Sequence, residues 1–164
     1  MFRKPVYLLY VALFALLVSC GKSPQFQDHV NVPKNKWDNS FKPEFNFNID
    51  DTAAGYQLLF LMRHTDAYPF SNIWLIMETK GPGDTAFRKM RVEVKLAAPS
   101  GQWLGRGMGD IYEQRVPINA VNQPAIFPKL GLYTVRLSQD MRKNPLPEVI
   151  QVGLRIEKLG AFAK

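Results

Sequence analysis

The only cysteine of this chain, Cys20, closes a run of apolar residues. Arg3 and Lys4 give a short positive start, and Pro5 to Val18 follow almost without a polar residue. That is the layout of a secretory signal, and the apolar part is too short for a comfortable membrane span, which takes roughly 20 residues. Leu17-Val18-Ser19-Cys20 has the form of a bacterial lipobox. The chemistry requires a thiol at its last position. The sulfur takes a diacylglycerol, the signal is cut before the cysteine, and the freed amine takes a further acyl chain. Two chains already hold a protein firmly on a bilayer, at roughly 0.8 kcal/mol per buried methylene. With no second cysteine, a disulfide within the chain is excluded. The sequence therefore predicts a signal peptide over 1–19 and membrane attachment through Cys20. No Asp follows Cys20, and Lys22 is followed by Ser-Pro-Gln rather than by acidic residues. The expected location is the periplasmic face of the outer membrane.

Other residue types with chemical potential lack the partners that chemistry needs. Gly105-Arg106-Gly107-Met108-Gly109 is not followed by a helical pattern or a P-loop lysine, so it reads as a glycine-containing strand rather than a phosphate cradle. His29 and His64 have no paired ligand spacing, and no metal or other cofactor is expected. Ser71 and Ser100 lie in no nucleophile motif. Glu44 and the pair Asp50-Asp51 are solvated carboxylates on this reading rather than an acid–base couple. No catalytic residue is assigned, and the chain is expected not to be an enzyme.

Two patterns keep two readings each. Asp51-Thr52-Ala53 and Asp84-Thr85-Ala86 both fall in turn-forming sequence. They are either Asp-Thr turns or O-glycosylation signals at Thr52 and Thr85 of the kind found in some exported bacterial proteins. The aromatic residues Trp37, Tyr68, Phe70, Trp74, Trp103 and Tyr112 are either core or, where several emerge on one face, an interaction platform. Trp103 and Tyr112, beside the glycine-rich strand, are the candidates for such a surface.

The elements that must hold these residues are strands. Phe45, Phe47 and Ile49 alternate with asparagines; Met90, Val92, Val94 and Leu96 alternate with Arg91, Glu93 and Lys95. Tyr133–Leu137 and Ile150–Ile156 alternate likewise, as half-buried strands do. Tyr56–Met62 and Ile73–Met77 are near-continuous apolar runs, suited to central strands. Turn signals at Asp50-Asp51, Gly81–Asp84, Ala98–Gly101, Pro128–Gly131 and Asn144-Pro145 separate them. The pattern predicts an all-β, antiparallel β-sandwich of about 7–9 strands over 43–164, preceded by a polar, lipidated tether over 20–42. The formal charge of +7 falls to +5 once Arg3 and Lys4 leave with the signal. The remaining basic residues are scattered, which argues against nucleic acid as a partner and leaves a mild attraction to anionic surfaces.

The whole pattern resembles the gliding-motility lipoprotein H (GldH) family. The likeness rests on the lipobox, the segment from Trp37 to Phe47, LMRHTDAYPFSNIWLIM at 61–77 and GQWLGRGMGDIY at 101–112. It continues with GLYTVRLSQDMRKNPLPEV at 131–149 and VGLRIEK at 152–158. The resemblance implies a non-enzymatic, outer-membrane lipoprotein serving the cell-surface gliding machinery and the linked type IX secretion apparatus through other envelope proteins. It carries no catalytic residues. The alternative is a lipid-tethered glycan-binding module using the aromatic platform.

Overall fold

The computed structural model describes residues 24–119 and 123–161. Among these, regular structure is strand apart from one 3-10 turn, Pro33–Asn35. In chain order the strands are β1 (Phe26–Asn31), β2 (Lys36–Trp37), β3 (Glu44–Ile49), β4 (Ala54–Thr65), β5 (Asn72–Lys80) and β6 (Arg88–Lys95). They continue with β7 (Arg106–Met108), β8 (Ile111–Pro117), β9 (Gly131–Gln139), β10 (Leu146–Pro147) and β11 (Val149–Ala161).

Two antiparallel sheets pack face to face. One has the order β1-β11-β4-β8-β7, the other β3-β9-β5-β6, and β2 with β10 makes a separate two-stranded ladder. This is the expected all-β sandwich. The apolar run at 56–62 lies in β4, flanked on both sides by β11 and β8. Its outward residues Gln57, Leu59 and Leu61 are themselves buried or half-buried, so alternation fades. Its inward residues Tyr56, Leu58, Phe60 and Met62 meet Phe45, Phe47, Leu75, Val135 and Leu137 in one core. Where one face is open, alternation is clean: β3 buries Phe45, Phe47 and Ile49 and exposes Glu44, Asn46 and Asn48.

The pairing register decides which loops share an end of the sandwich. Phe26 pairs with Ile156, which pairs with Leu58. In the second sheet Ile49 pairs with Gly131, and Lys80 with Thr134. The start of β1, the turns at 50–53 and 81–87, and the segment entering β9 therefore gather at one end. Thr65 pairs with Ile111, and Met108 with Ile111 across the Gly109-Asp110 turn. The segments 66–71, 96–105 and 109–110 thus lie at the opposite end. β4 has 12 residues, so the ends stand about 40 Å apart.

The fold begins earlier than the sequence boundary at residue 43. Part of the segment read as a tether is strand: Phe26–Asn31 pairs along β11, and Trp37, fully buried, stacks on Phe60. β1 looks polar because it is an edge strand. Only Phe26 and Val30 turn toward the core, while Gln27, Asp28, His29 and Asn31 face water. Such an edge strand carries too few apolar residues to announce itself.

Candidate functional site

At the second end three elements converge on one histidine. β4 supplies His64, whose cross-strand partner on β8 is Tyr112. The inward alternation of β8 places Gln114 next. The segment before β7 supplies Trp103, held by a bridge to Ala97. His64 is fully buried. Its ring lies 4.5 Å from that of Trp103 in an edge-on contact, 5.8 Å from Tyr112 and 5.3 Å from Tyr68. Phe70 closes the group against Tyr68.

The hydrogen bonds fix the state of His64. Its Nδ1 lies 2.8 Å from the Thr65 carbonyl, which can only accept, so Nδ1 carries the proton. Nε2 then accepts from Gln114 Nε2 at 3.1 Å, and the same amide donates to the Leu96 carbonyl at 3.1 Å. A proton on Nε2 would face an amide N–H. Burial also disfavours charge and lowers the His64 pKa below its ordinary value. The Tyr68 hydroxyl, likewise buried, is pushed up and donates to the Asn72 carbonyl at 3.1 Å. Gln114 Oε1 is buried without a hydrogen-bond partner among the described residues. It abuts Gly105, where a Cβ would sit 2.8 Å from it and 2.4 Å from the Glu113 carbonyl. The glycine-rich stretch thus serves close approach of backbone and side chain within a hairpin; it contains β7 and is followed by β8 rather than by a helix.

The cluster is buried around a neutral His64. It works as a rigid base for the surface above it. Trp103 is half-buried and donates from Nε1 to Asp66 Oδ1 at 2.8 Å, and Asp66 N donates to the Asp110 carbonyl at 2.8 Å. Tyr112 is half-buried beside it, the two rings 5.9 Å apart. Leu104, next to Trp103 in the chain, is exposed, and so are the cross-strand pair Met108 and Ile111 at the hairpin's end, on the face opposite Tyr112, Met108 to 86%. Three large apolar side chains on one small hairpin and its lead-in form an apolar tip.

The two surface candidates from the sequence, Trp103 and Tyr112, are therefore brought together, both half-buried. Trp74 is covered by the Arg91 guanidinium, 3.8 Å above its ring, and Trp37 is core. Sequence reading missed the joint role of His64 and Gln114. The available signal was Gln114 itself, a polar residue in the inward register between Tyr112 and Val116. Thr52 and Thr85 are both exposed and both lie at the first end, in the turns preceding β4 and β6. Asp51 Oδ1 accepts from Ala53 N at 2.8 Å, and Asp84 Oδ2 from Gly81 N at 3.1 Å. Each carboxylate thus has a turn role, and each hydroxyl is left accessible. His29 is exposed on β1. Glu44 pairs with Arg136, and Asp51 with Lys158. Among the described residues no three His, Cys, Asp or Glu side chains are grouped to hold a metal, and no helix is long and apolar enough to cross a membrane. Cys20 and the signal segment lie outside the described residues.

Residues 25–156 match the model of the family described as GldH lipoprotein. The gliding motility lipoprotein GldH homolog of Christiangramia forsetii is 27% identical, over 94% of this chain and 98% of its own length. The gliding motility lipoprotein GldH of Flavobacterium johnsoniae is 28% identical, over 87% of this chain and 90% of its own. Among solved structures, a carbohydrate-binding module of class CBM28 specific for non-crystalline cellulose aligns with a TM-score of 0.45 and 8% identity. That alignment covers 87% of this chain and 78% of the module.

Proposed function

We propose that this chain, which belongs to the GldH lipoprotein family, is a non-enzymatic lipoprotein of the outer membrane. On this reading it supports gliding motility, and the linked type IX secretion apparatus, by contact with other envelope proteins. Cys20 carries the acyl chains, on the periplasmic face, and the end of the sandwich bearing Trp103 and Tyr112 meets the partner. The observation that carries the contact is the apolar tip of Leu104, Met108 and Ile111 on its His64-centred base. Exposed apolar side chains over a preformed, buried aromatic cluster are what a protein interface uses. The relatives' role in gliding motility, as their names give it, supports the cellular process; the tip supports protein contact over chemistry.

In-cell crosslinking of the native protein, followed by purification and mass spectrometry, tests this. The expected result is that motility or secretion components co-purify. They should be lost with Cys20→Ser and with Met108→Asp/Ile111→Asp, the latter leaving folding and membrane attachment intact. Recovery of the same partners from the Met108→Asp/Ile111→Asp strain would remove the tip from the interface. Recovery of lipid and polysaccharide alone, with saturable polysaccharide binding lost in Trp103→Ala, would favour the glycan-binding module instead.

A further inference from the structure

We infer that the first end of the sandwich docks on the bilayer, through Ile126–Leu132, the loop entering β9 and that strand's first two residues. The inference rests on the Cys20 anchor proposed above. Six Cα steps separate Cys20 from Phe26, the first residue of β1. However that stretch runs, it reaches at most about 20 Å. The start of β1 is therefore held near the lipid, and what lies beside it is held there too.

What lies beside it is the loop. The Phe26 ring is 5.7 Å from Phe47, and Phe47 is 5.6 Å from Phe127. Gln25 Nε2 also reaches the Asn48 carbonyl at 3.4 Å, at the same end. Two ring-to-ring steps thus join the point where the tether enters the domain to the centre of the loop. Phe127 is buried against Tyr56, Phe47 and Tyr133 and acts as the loop's root. Its neighbours turn outward: Ile126, Leu130 and Leu132 are 70, 60 and 62% exposed, and Pro128 is exposed between them. The loop is held in shape without them. The Tyr133 hydroxyl accepts from Lys129 N at 3.2 Å and donates to the Lys129 carbonyl at 3.1 Å, and Lys129 Nζ donates to the Pro82 carbonyl at 3.0 Å.

Scattered exposed leucines are ordinary on a protein surface. A preformed loop with four apolar side chains, beside the tether's point of entry, is a patch with a direction. Its charged surroundings suit lipid headgroups. Arg88, Lys89 and Lys129 line the cleft beside it; Asp84 pairs with Arg88 and Lys129, Glu78 with Lys89, and Asp50 and Asp51 both pair with Lys158. Aliphatic side chains flanked by lysine and arginine are the composition of an interfacial contact, with the apolar groups at the acyl boundary and the cations at the phosphates. The occupant is therefore the bilayer that holds Cys20.

The test uses the full lipidated protein in vesicles of phosphatidylethanolamine and phosphatidylglycerol. Acylation leaves no free thiol, so Leu130→Cys and Met108→Cys each give one site for a fluorescent label. Thr52 and Thr85 stand at the docking end, so protein whose intact mass shows them unmodified is used. Flotation with the vesicles reads the anchor. Quenching by a nitroxide placed on the lipid acyl chains reads depth. We expect the label at 130 to be quenched and the label at 108 to be untouched. Adding Ile126→Asp and Leu132→Asp should abolish quenching at 130 while flotation persists. Floating protein whose label at 130 stays open to an aqueous quencher overturns the docking and leaves the anchor standing. Protein that does not float overturns the anchor, and the docking with it.

Discussion

His64 shows how one residue can be structural and still govern a surface. Its Nδ1 proton is committed to the Thr65 carbonyl, and its Nε2 lone pair to Gln114. Burial lowers its pKa in the folded chain below the value near 6.5 of an unfolded one. The unfolded state therefore binds the extra proton first. The stability contributed by neutral His64 is complete above about pH 6.5 and declines as pH falls through that value toward the folded pKa. One proton limits the slope to about 1.4 kcal/mol per pH unit. Glu78 behaves in the same sense, at lower pH. Held low first by its hydrogen bond from Lys89, it keeps its share until the pH drops below the ordinary carboxylate value of 4.5. Thermal unfolding followed from pH 8 to 5 is expected to show a falling Tm below about pH 6.5. His64→Phe should flatten that limb whatever its absolute stability. An unchanged limb in the variant would assign the effect to other groups.

At the scale of elements, the legible strands were those with a one-sided environment. β3, β9 and β11 alternate because one face meets the core and the other meets water. β4 was legible for the opposite reason, its near-continuous apolar run marking a strand with little exposure on either face. What escaped the sequence was set by partners far along the chain. β1 is recognisable only beside β11, more than a hundred residues away, and Trp37 only beside Leu146 of β10. The aromatic cluster was half legible. Trp103 and Tyr112 stood out by type and by their place near the glycines, whereas the inward turn of His64 and Gln114 depends on the β4–β8 register. These differences predict where the domain can be cut. A chain beginning at Pro43 loses β1, β2 and the fully buried Trp37 and is expected not to fold cooperatively. A chain beginning at Pro24 should unfold in a single sharp transition. Trp37→Ala in that longer chain should cost about 3–5 kcal/mol, read from urea unfolding. Cooperative unfolding of the shorter chain would show that residues 24–42 are dispensable after all.

The described sandwich carries different chemistry at its two ends. The tether enters beside the Ile126–Leu132 loop; the Leu104–Met108–Ile111 tip lies at the other end of β4. With the acyl chains on Cys20 and the first end on the bilayer, as proposed, a stretch of at most about 20 Å to β1 would make the domain a spacer as well as a holder, the bilayer at one end setting the height of the tip at the other. If height matters, loosening the tether should impair function without touching either end. Inserting about 20 Gly/Ser residues between Ser23 and Pro24 adds a flexible chain whose root-mean-square span is about 25 Å. Lipidation, folding and abundance should be unchanged, since the insertion precedes β1 and disturbs no packed residue. Colony spreading of cells carrying only this form is expected to fall toward that of the Met108→Asp/Ile111→Asp strain, even though the tip is intact. A rigid helical insert of the same length should fail similarly, because it fixes the tip at the wrong height. Full spreading with both inserts would mean that the partner follows the tip wherever the tether lets it go. The lipid would then serve only to keep the domain at the membrane.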